Sequence, residues 1–163
     1  MGNCWCTPGK AFDGSTNRFV RTPIPRVCDG DTIIATFPRA DLLPSRNVCV
    51  SVRILGIDTP ERHSKDPAEK EAAERATATM QEIVAAHTIF TKLDRHDKYG
   101  GRFLGTPVIH FHGTEIPLSR LMVACGHARE YAGNRKIPFA AWYDPAKIKP
   151  WREVLREMSR ESQ

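Results

Sequence analysis

A helix start at Asp66-Pro67-Ala68-Glu69 divides the extended segments of this chain three and two, and that order restricts the fold more than any other feature. Ahead of it lie runs rich in Val, Ile and Thr at Phe19 to Cys28, Asp31 to Phe37 and Val48 to Ile57, separated by Pro-containing loops. Side chains branched at Cβ pack well on a pleated surface and lose freedom in a helix, so these runs predict a three-stranded meander. Asp66 stands as N-cap, Pro67 fits the first turn, where no N–H is required, and Glu69 occupies the acidic position of a capping box. The helix is expected to reach about Ala86, with Ala72, Ala73, Ala76, Met80, Ile83 and Val84 at helical spacing. Its small alanines imply close approach to a sheet.

Two further extended runs, His87 to Leu93 and Phe103 to His112, flank a turn at Asp97 to Arg102 and predict a hairpin, which brings the strand count to five. Leu118, Leu121, Met122 and Cys125 predict a short helix stopped by Gly126. Trp151, Val154, Leu155 and Met158 predict a last amphipathic helix, and stripes of this kind are core. The expectation is an α+β chain, mainly β: a five-stranded OB-fold barrel with about three helices, an architecture that binds nucleic acids on its open face. Residues 1–17 lack periodicity and read as an N-terminal tail, with 18–163 as one domain. A chain of 163 residues buries roughly 70% of its unfolded surface, enough for a single core.

With 24 Lys and Arg against 19 Asp and Glu the net charge is +5, which favours an anionic partner; charge alone is weak evidence, since moderately basic proteins are common. The five cysteines include Cys28, Cys49 and Cys125 within apolar patterns, where a thiol acts as a small hydrophobe. Cys4 and Cys6 form a Cys-x-Cys in the tail without the second ligand pair of a zinc site. Met1-Gly2-Asn3-Cys4 is like an acylated terminus, but Cys6 stands where the myristoylation pattern has Ser or Thr. No basic segment leads into an apolar run, and no stretch of about 18 apolar residues occurs. Neither a secretory signal nor a membrane span is expected, and the default is a cytoplasmic monomer.

Candidate chemistry gathers at Val52 to Glu61, where an apolar strand ends in Asp58 and Glu61 with Arg53 nearby. Asp31 opens one strand and Asp58 closes another, so their carboxylates meet if those strands are neighbours. Hard oxygen ligands suit calcium or magnesium and not zinc. Taken singly, Asp31 belongs to an Asp-Gly turn, Asp58 to a turn before Pro60, Glu61 to the surface, Arg53 to a surface ion pair and Arg102 to a hairpin tip. Taken together they fit metal-assisted attack on a phosphodiester. Arg53 and Arg102 offer paired N–H donors to non-bridging oxygens, and Glu61 can orient or deprotonate water.

The blocks Asp29-Gly30-Asp31-Thr32, Arg53 through Glu61, Asp97-Lys98-Tyr99-Gly100 with Arg102, and Leu118 to Tyr131 with Gly126-His127-Ala128 occur in this order. Over residues 18–133 the chain thereby resembles the staphylococcal nuclease (thermonuclease) family, whose barrel is an OB-fold. The resemblance implies that Asp31 and Asp58, with the backbone carbonyl of Thr59, bind a calcium ion. It implies Glu61 as general base, Arg53 and Arg102 as the phosphate-binding pair, and Lys98 and Tyr99 beside the nucleotide. The implied partners are DNA and RNA, single strands favoured, and the implied product carries a 3′-phosphate. Contacts to phosphate and not to base edges predict little sequence preference and salt-sensitive binding.

Departures from the family pattern carry their own expectations. Gly100-Gly101-Arg102 holds one glycine more than the shortest family turn, and a one-residue bulge with Gly101 at positive φ is expected to keep Arg102 in place. The short loop Arg62 to Lys65 should leave Glu61 less mobile. Asn134-Arg135-Lys136 resembles a basic loop of some family members, while Trp142 to Gln163 matches no motif and stays open between barrel packing and a partner surface. So few carboxylates predict calcium binding near roughly 0.1 to 1 mM. Two other functions compete: a non-catalytic OB-fold module that binds nucleic acid, and a calcium-binding interaction domain. The first should have lost some of Asp31, Asp58, Glu61, Arg53 or Arg102, and all are present; the second does not call for paired arginines.

Overall fold

The first extended run does not continue as one strand, and its interruption is what closes the sheet. In a computed structural model, which describes residues 19–24, 26–38, 47–96, 101–133 and 136–161, the run divides into β1 (Val20–Arg21) and β2 (Arg26–Asp29). Strands β3 (Thr32–Pro38) and β4 (Asn47–Ile54) follow, then β5 (Ile57–Asp58) and helix α1 (Pro67–Ala86). Next come β6 (Ile89–His96), β7 (Phe103–Phe111), β8 (Thr114–Pro117), α2 (Leu118–Ala124), β9 (Arg129–Glu130) and α3 (Trp151–Glu161). The expected tail with Cys4 and Cys6, and the candidates Lys98 and Tyr99, lie outside the described residues.

The main sheet runs in the order β1-β6-β7-β4-β3-β2, so the two halves of the first run sit at its opposite ends. The link between them bonds both ways: Thr22 donates its N–H to the Ile89 carbonyl at 2.9 Å, and the Pro23 carbonyl accepts from Thr36 N–H at 2.9 Å. The sheet thus curls into an OB-fold-like barrel of the five expected runs, β2 to β4 forming the antiparallel meander and β6 and β7 the hairpin. Parallel pairing of β4 with β7 joins the two halves.

Three further features differ from expectation. The third run breaks at Leu55-Gly56, where Gly56 has φ +84, and Ile57–Asp58 leaves the main sheet to pair with β9. Thr114–Pro117 is an additional strand, turned back on β7 through His112 (φ 49) and Gly113 (φ 81). Glu69 does not complete a capping box. The Asp66 carboxylate accepts from Ala68 N–H at 2.9 Å, but the Asp66 N–H goes to Ser64 Oγ at 3.1 Å, which leaves Glu69 to turn toward the preceding loop.

Inside the barrel Ile33, Val52, Ile54, Leu93 and Ile109 are buried with Met80 and Ile83 of α1. The alanine face of α1 allows the close approach its sequence implies: Ala72, Ala73 and Ala76 are all buried. Helix α2 ends as expected at Gly126, φ +81, where the Gly126 N–H bonds to Val123 and the His127 N–H to Met122, the two bonds of a Schellman motif. Trp151, Val154, Leu155 and Met158 of α3 enter the core, and Trp151 Nε1 donates to Glu82 of α1 at 2.9 Å, so barrel packing accounts for this face of the last segment. Cys28 and Cys125 carry free thiols, and burial pushes that of Cys125 up to about 12, in keeping with a packing role. Among the described residues no helix is long and apolar enough to cross a membrane.

Candidate active site

The Asp31 turn is set by close packing. Gly30 sits so near α1 and the residue after β5 that a Cβ there would lie 2.9 Å from the Ala76 Cβ and 3.0 Å from Thr59 Cγ2, which reserves the position for glycine. Asp31 N–H donates to Asp29 Oδ1 at 3.2 Å, and the Asp31 carbonyl accepts from Ile54 N–H at 2.8 Å. These bonds fasten the turn to the end of β4, where Thr32 pairs with Arg53.

Arg53 then reaches both acids. Its Nη2 and Nη1 grip the two Asp31 oxygens at 2.9 and 3.1 Å, and Nη2 lies 3.5 Å from Asp58 Oδ1. Asp31 and Asp58 are only 3% and 5% exposed, and Thr59 is buried beside them. Burial raises the Asp31 carboxyl to about 7; Arg53 opposes the rise, and neighbouring Asp29 adds to it. Thr32 Oγ1 donates to Asp31 Oδ1 at 2.9 Å.

Asp58 is placed by the small β5–β9 sheet, whose register sets it opposite Arg129. Arg129 Nη2 donates to Asp58 Oδ2 at 2.7 Å, a strong contact between two largely buried groups. The other oxygen, Oδ1, is buried without a hydrogen-bond partner among the described residues; besides Arg53, Lys136 Nζ lies 3.8 Å from it. Glu61 is exposed on the loop beyond Pro60, and its carboxylate accepts from Lys136. Burial alone would lower the Lys136 ammonium, but the bond to Glu61 and the charge of Asp58 hold it above its ordinary value.

A cleft of about 1120 Å³ opens in front of these groups, lined by Asp31, Arg53, Thr59, Glu61 and Arg102 among others. Gly101 takes φ +73 as expected, in the turn ahead of β7. The rest of that turn, residues 97–100, lies outside the described residues, and the ladder has a bulge of its own on β6 between Leu93 and Arg95. That bulge puts Arg95 opposite Leu104, which in turn pairs with Arg53, so Arg95 joins the row facing the cleft. Asp31, Arg53, Thr59, Glu61 and Arg102 therefore meet at one cleft, with Asp58 held behind it by Arg53 and Arg129. Sequence reasoning missed Arg129 and the contact of Lys136 with Glu61. Arg129 is 71 positions from Asp58 and reaches it from a strand of two residues, too short to show a period.

Among the described residues no group of three or more His, Cys, Asp or Glu side chains is arranged to hold a metal ion. Asp31 and Asp58 are a pair of hard oxygen donors, and one of them has a buried oxygen lacking a hydrogen bond. Two donors of this kind suit a hard divalent cation that keeps much of its own water.

A family model described as staphylococcal nuclease homologue matches residues 51–146. The chain belongs to this family. No curated protein matches the chain. The staphylococcal nuclease homologue segment contains Arg53, Asp58, Thr59, Glu61, Arg102 and Arg129, and begins after Asp31, which joins them through the Thr32–Arg53 pairing. Membership and the OB-fold-like barrel together support a nuclease-like or nucleic-acid-binding function.

Proposed function

We propose that this member of the staphylococcal nuclease homologue family is a calcium-dependent, sugar-nonspecific nuclease that hydrolyses phosphodiester bonds of DNA and RNA and leaves 3′-phosphate ends. The observation that carries this is the single guanidinium of Arg53 touching two buried carboxylates at a cleft that also holds Glu61 and Arg102. Charges of both signs are needed there, positive for the phosphate oxygens and negative for a cation and a water.

Calcium held by Asp31, Asp58 and the Thr59 carbonyl would supply positive charge to the attacked phosphate. Arg53 and Arg102 bind the non-bridging oxygens and favour the more highly charged transition state. Glu61 takes a proton from water as the water oxygen forms its bond to phosphorus. The bond from phosphorus to the 5′ oxygen breaks, its electron pair leaves with that oxygen, and the alkoxide is protonated by solvent. Glu61 can act only once Lys136 gives way, and an incoming phosphate is a competing partner for that ammonium. Single strands are favoured because Tyr131, also lining the cleft, offers a stacking face to an unpaired base. One chain supplies every group named, consistent with action as a monomer.

The Lys136–Glu61 contact favours one competitor, a cleft that binds nucleic acid without cutting it. Incubating the protein with single-stranded DNA, duplex DNA and RNA, in calcium or in chelator, separates the two. Calcium-dependent fragments bearing 3′-phosphates support the nuclease; retention of intact strands in every metal tested supports the binding module.

A further inference from the structure

We infer that Glu69 is a positioning residue for Glu61, an inference that rests on the nuclease function proposed above. Glu69 lies in the first turn of α1, where acids ordinarily serve the helix itself. Here the cap is complete without it: Asp66 accepts from Ala68 N–H, and the Asp66 N–H is bonded to Ser64. Glu69 instead spends both oxygens on the loop in front of the helix. Its Oε2 accepts from the Ser64 hydroxyl at 2.6 Å, and its Oε1 accepts from the Glu61 N–H at 3.2 Å.

The clasp closes on itself, because Ser64 N–H donates to the Glu61 carbonyl at 3.2 Å. Both backbone polar groups of Glu61 are thereby occupied, although its side chain is exposed. A residue held in this way keeps its own side-chain rotations while its Cα is fixed relative to α1. The same helix presses Ala76 against Gly30, the glycine that shapes the Asp31 turn. One rigid element therefore sets two separate parts of the site, the carboxylate at the cation position and the carboxylate that handles water. Hydrogen bonds to a charged acceptor are about twice as strong as neutral ones, which suits Glu69 to this task better than an amide or hydroxyl.

Displacing a catalytic group by about 1 Å costs on the order of 100-fold in rate, and releasing the Glu61 loop should cost a like amount. The test compares Glu69→Ala and Glu69→Gln in the wild-type and Glu61→Gln backgrounds of the full chain, by cleavage of a single-stranded oligonucleotide in calcium. Amide hydrogen exchange at Glu61 and thermal melts are measured alongside. Glu69→Ala should lower kcat by roughly 10- to 100-fold with KM within about twofold, and speed exchange of the Glu61 amide. Glu69→Gln, whose amide oxygen still accepts, should keep most of the rate. Once Glu61 is already Gln, Glu69→Ala should cost nothing further. An unchanged kcat in Glu69→Ala, an equal loss in both backgrounds, or an unprotected Glu61 amide in an actively cleaving wild type overturns the inference alone. A wild-type protein that cleaves nothing overturns the nuclease function and this inference with it.

Discussion

Asp31 and Arg53 meet as a two-pronged ion pair, 2.9 and 3.1 Å, on a carboxylate that is 3% exposed. Burial wins over the pair, since the Asp31 carboxyl is still raised to about 7 from 3.8. The folded chain therefore holds this proton more tightly than the unfolded one, and the group's contribution to stability falls as pH climbs from about 4 to 7. Arg53→Gln should raise the carboxyl further. Its destabilisation is expected to be small at pH 6 and to grow above pH 7 toward about 3 kcal/mol, as charging of the stranded acid becomes the issue. Urea unfolding of both chains at several pH values measures it; a deficit independent of pH contradicts it.

Gly30→Ala brings a methyl into contact with Ala76 of α1 and with Thr59. Overpacking of this kind costs about 1 to 3 kcal/mol. Because the atoms that must move belong to the Asp31 turn and to Thr59, calcium affinity should fall along with the melting temperature. Calorimetric titration with calcium and a thermal melt of the same variant check both halves. Wild-type calcium affinity in a destabilised variant would detach Gly30 from the site.

His127 is buried, with Nε2 3.0 Å from Thr79 Oγ1 and Nδ1 without a hydrogen-bond partner among the described residues. Burial lowers its proton affinity below the ordinary 6.5, and nearby Arg75 lowers it further. Unfolded chains take up the proton first on acidification. The stability His127 contributes is thus present above pH 6.5 and is lost as pH falls from there through the lower pKa of the folded chain. His87 adds an effect of the same sign. His127→Gln should flatten the acid side of the melting profile between about pH 7 and 5 relative to wild type, a comparison in which the opposite slope from Asp31 cancels. An unaltered profile would contradict the assignment.

The barrel was legible wherever one element carried its own signal. Runs rich in Val, Ile and Thr marked β3 and β4, the turn at Asp97 to Arg102 marked the hairpin of β6 and β7, Asp66-Pro67 marked the start of α1, and Gly126 marked the end of α2. Asp31, Arg53, Asp58, Glu61 and Arg102 were legible because their charges stand at the ends of such elements. What escaped depends on long-range pairing of very short pieces. Strands β5 and β9 have two residues each, and only their pairing puts Arg129 on Asp58. Glu69 was misread for another reason: the local capping rule gave it Asp66 as partner, but Ser64 took the Asp66 N–H and left Glu69 for Glu61.

Lys136 now neutralises Glu61 and lies 3.8 Å from Asp58 Oδ1, on the side of the acids where a cation would compete with it. Both partners in the Glu61 contact are more than half exposed, so the pair is worth about 1 kcal/mol at most. Lys136→Gln should therefore tighten calcium binding by up to about fivefold, read by isothermal titration in low salt, and the gain should shrink as salt is added. Unchanged or weaker calcium binding would mean that Lys136 and the cation do not compete.

Hydrolysis of a single-stranded oligonucleotide by wild type, Glu61→Gln and Arg102→Ala, in calcium and in chelator, tests the central claim most directly. Cleavage should require calcium, and each substitution should depress its rate by about 10²- to 10⁴-fold while the proteins stay folded. A wild-type protein that binds the strand yet leaves it intact in calcium and in every other divalent metal tried would contradict the nuclease assignment and leave the cleft as a binding site.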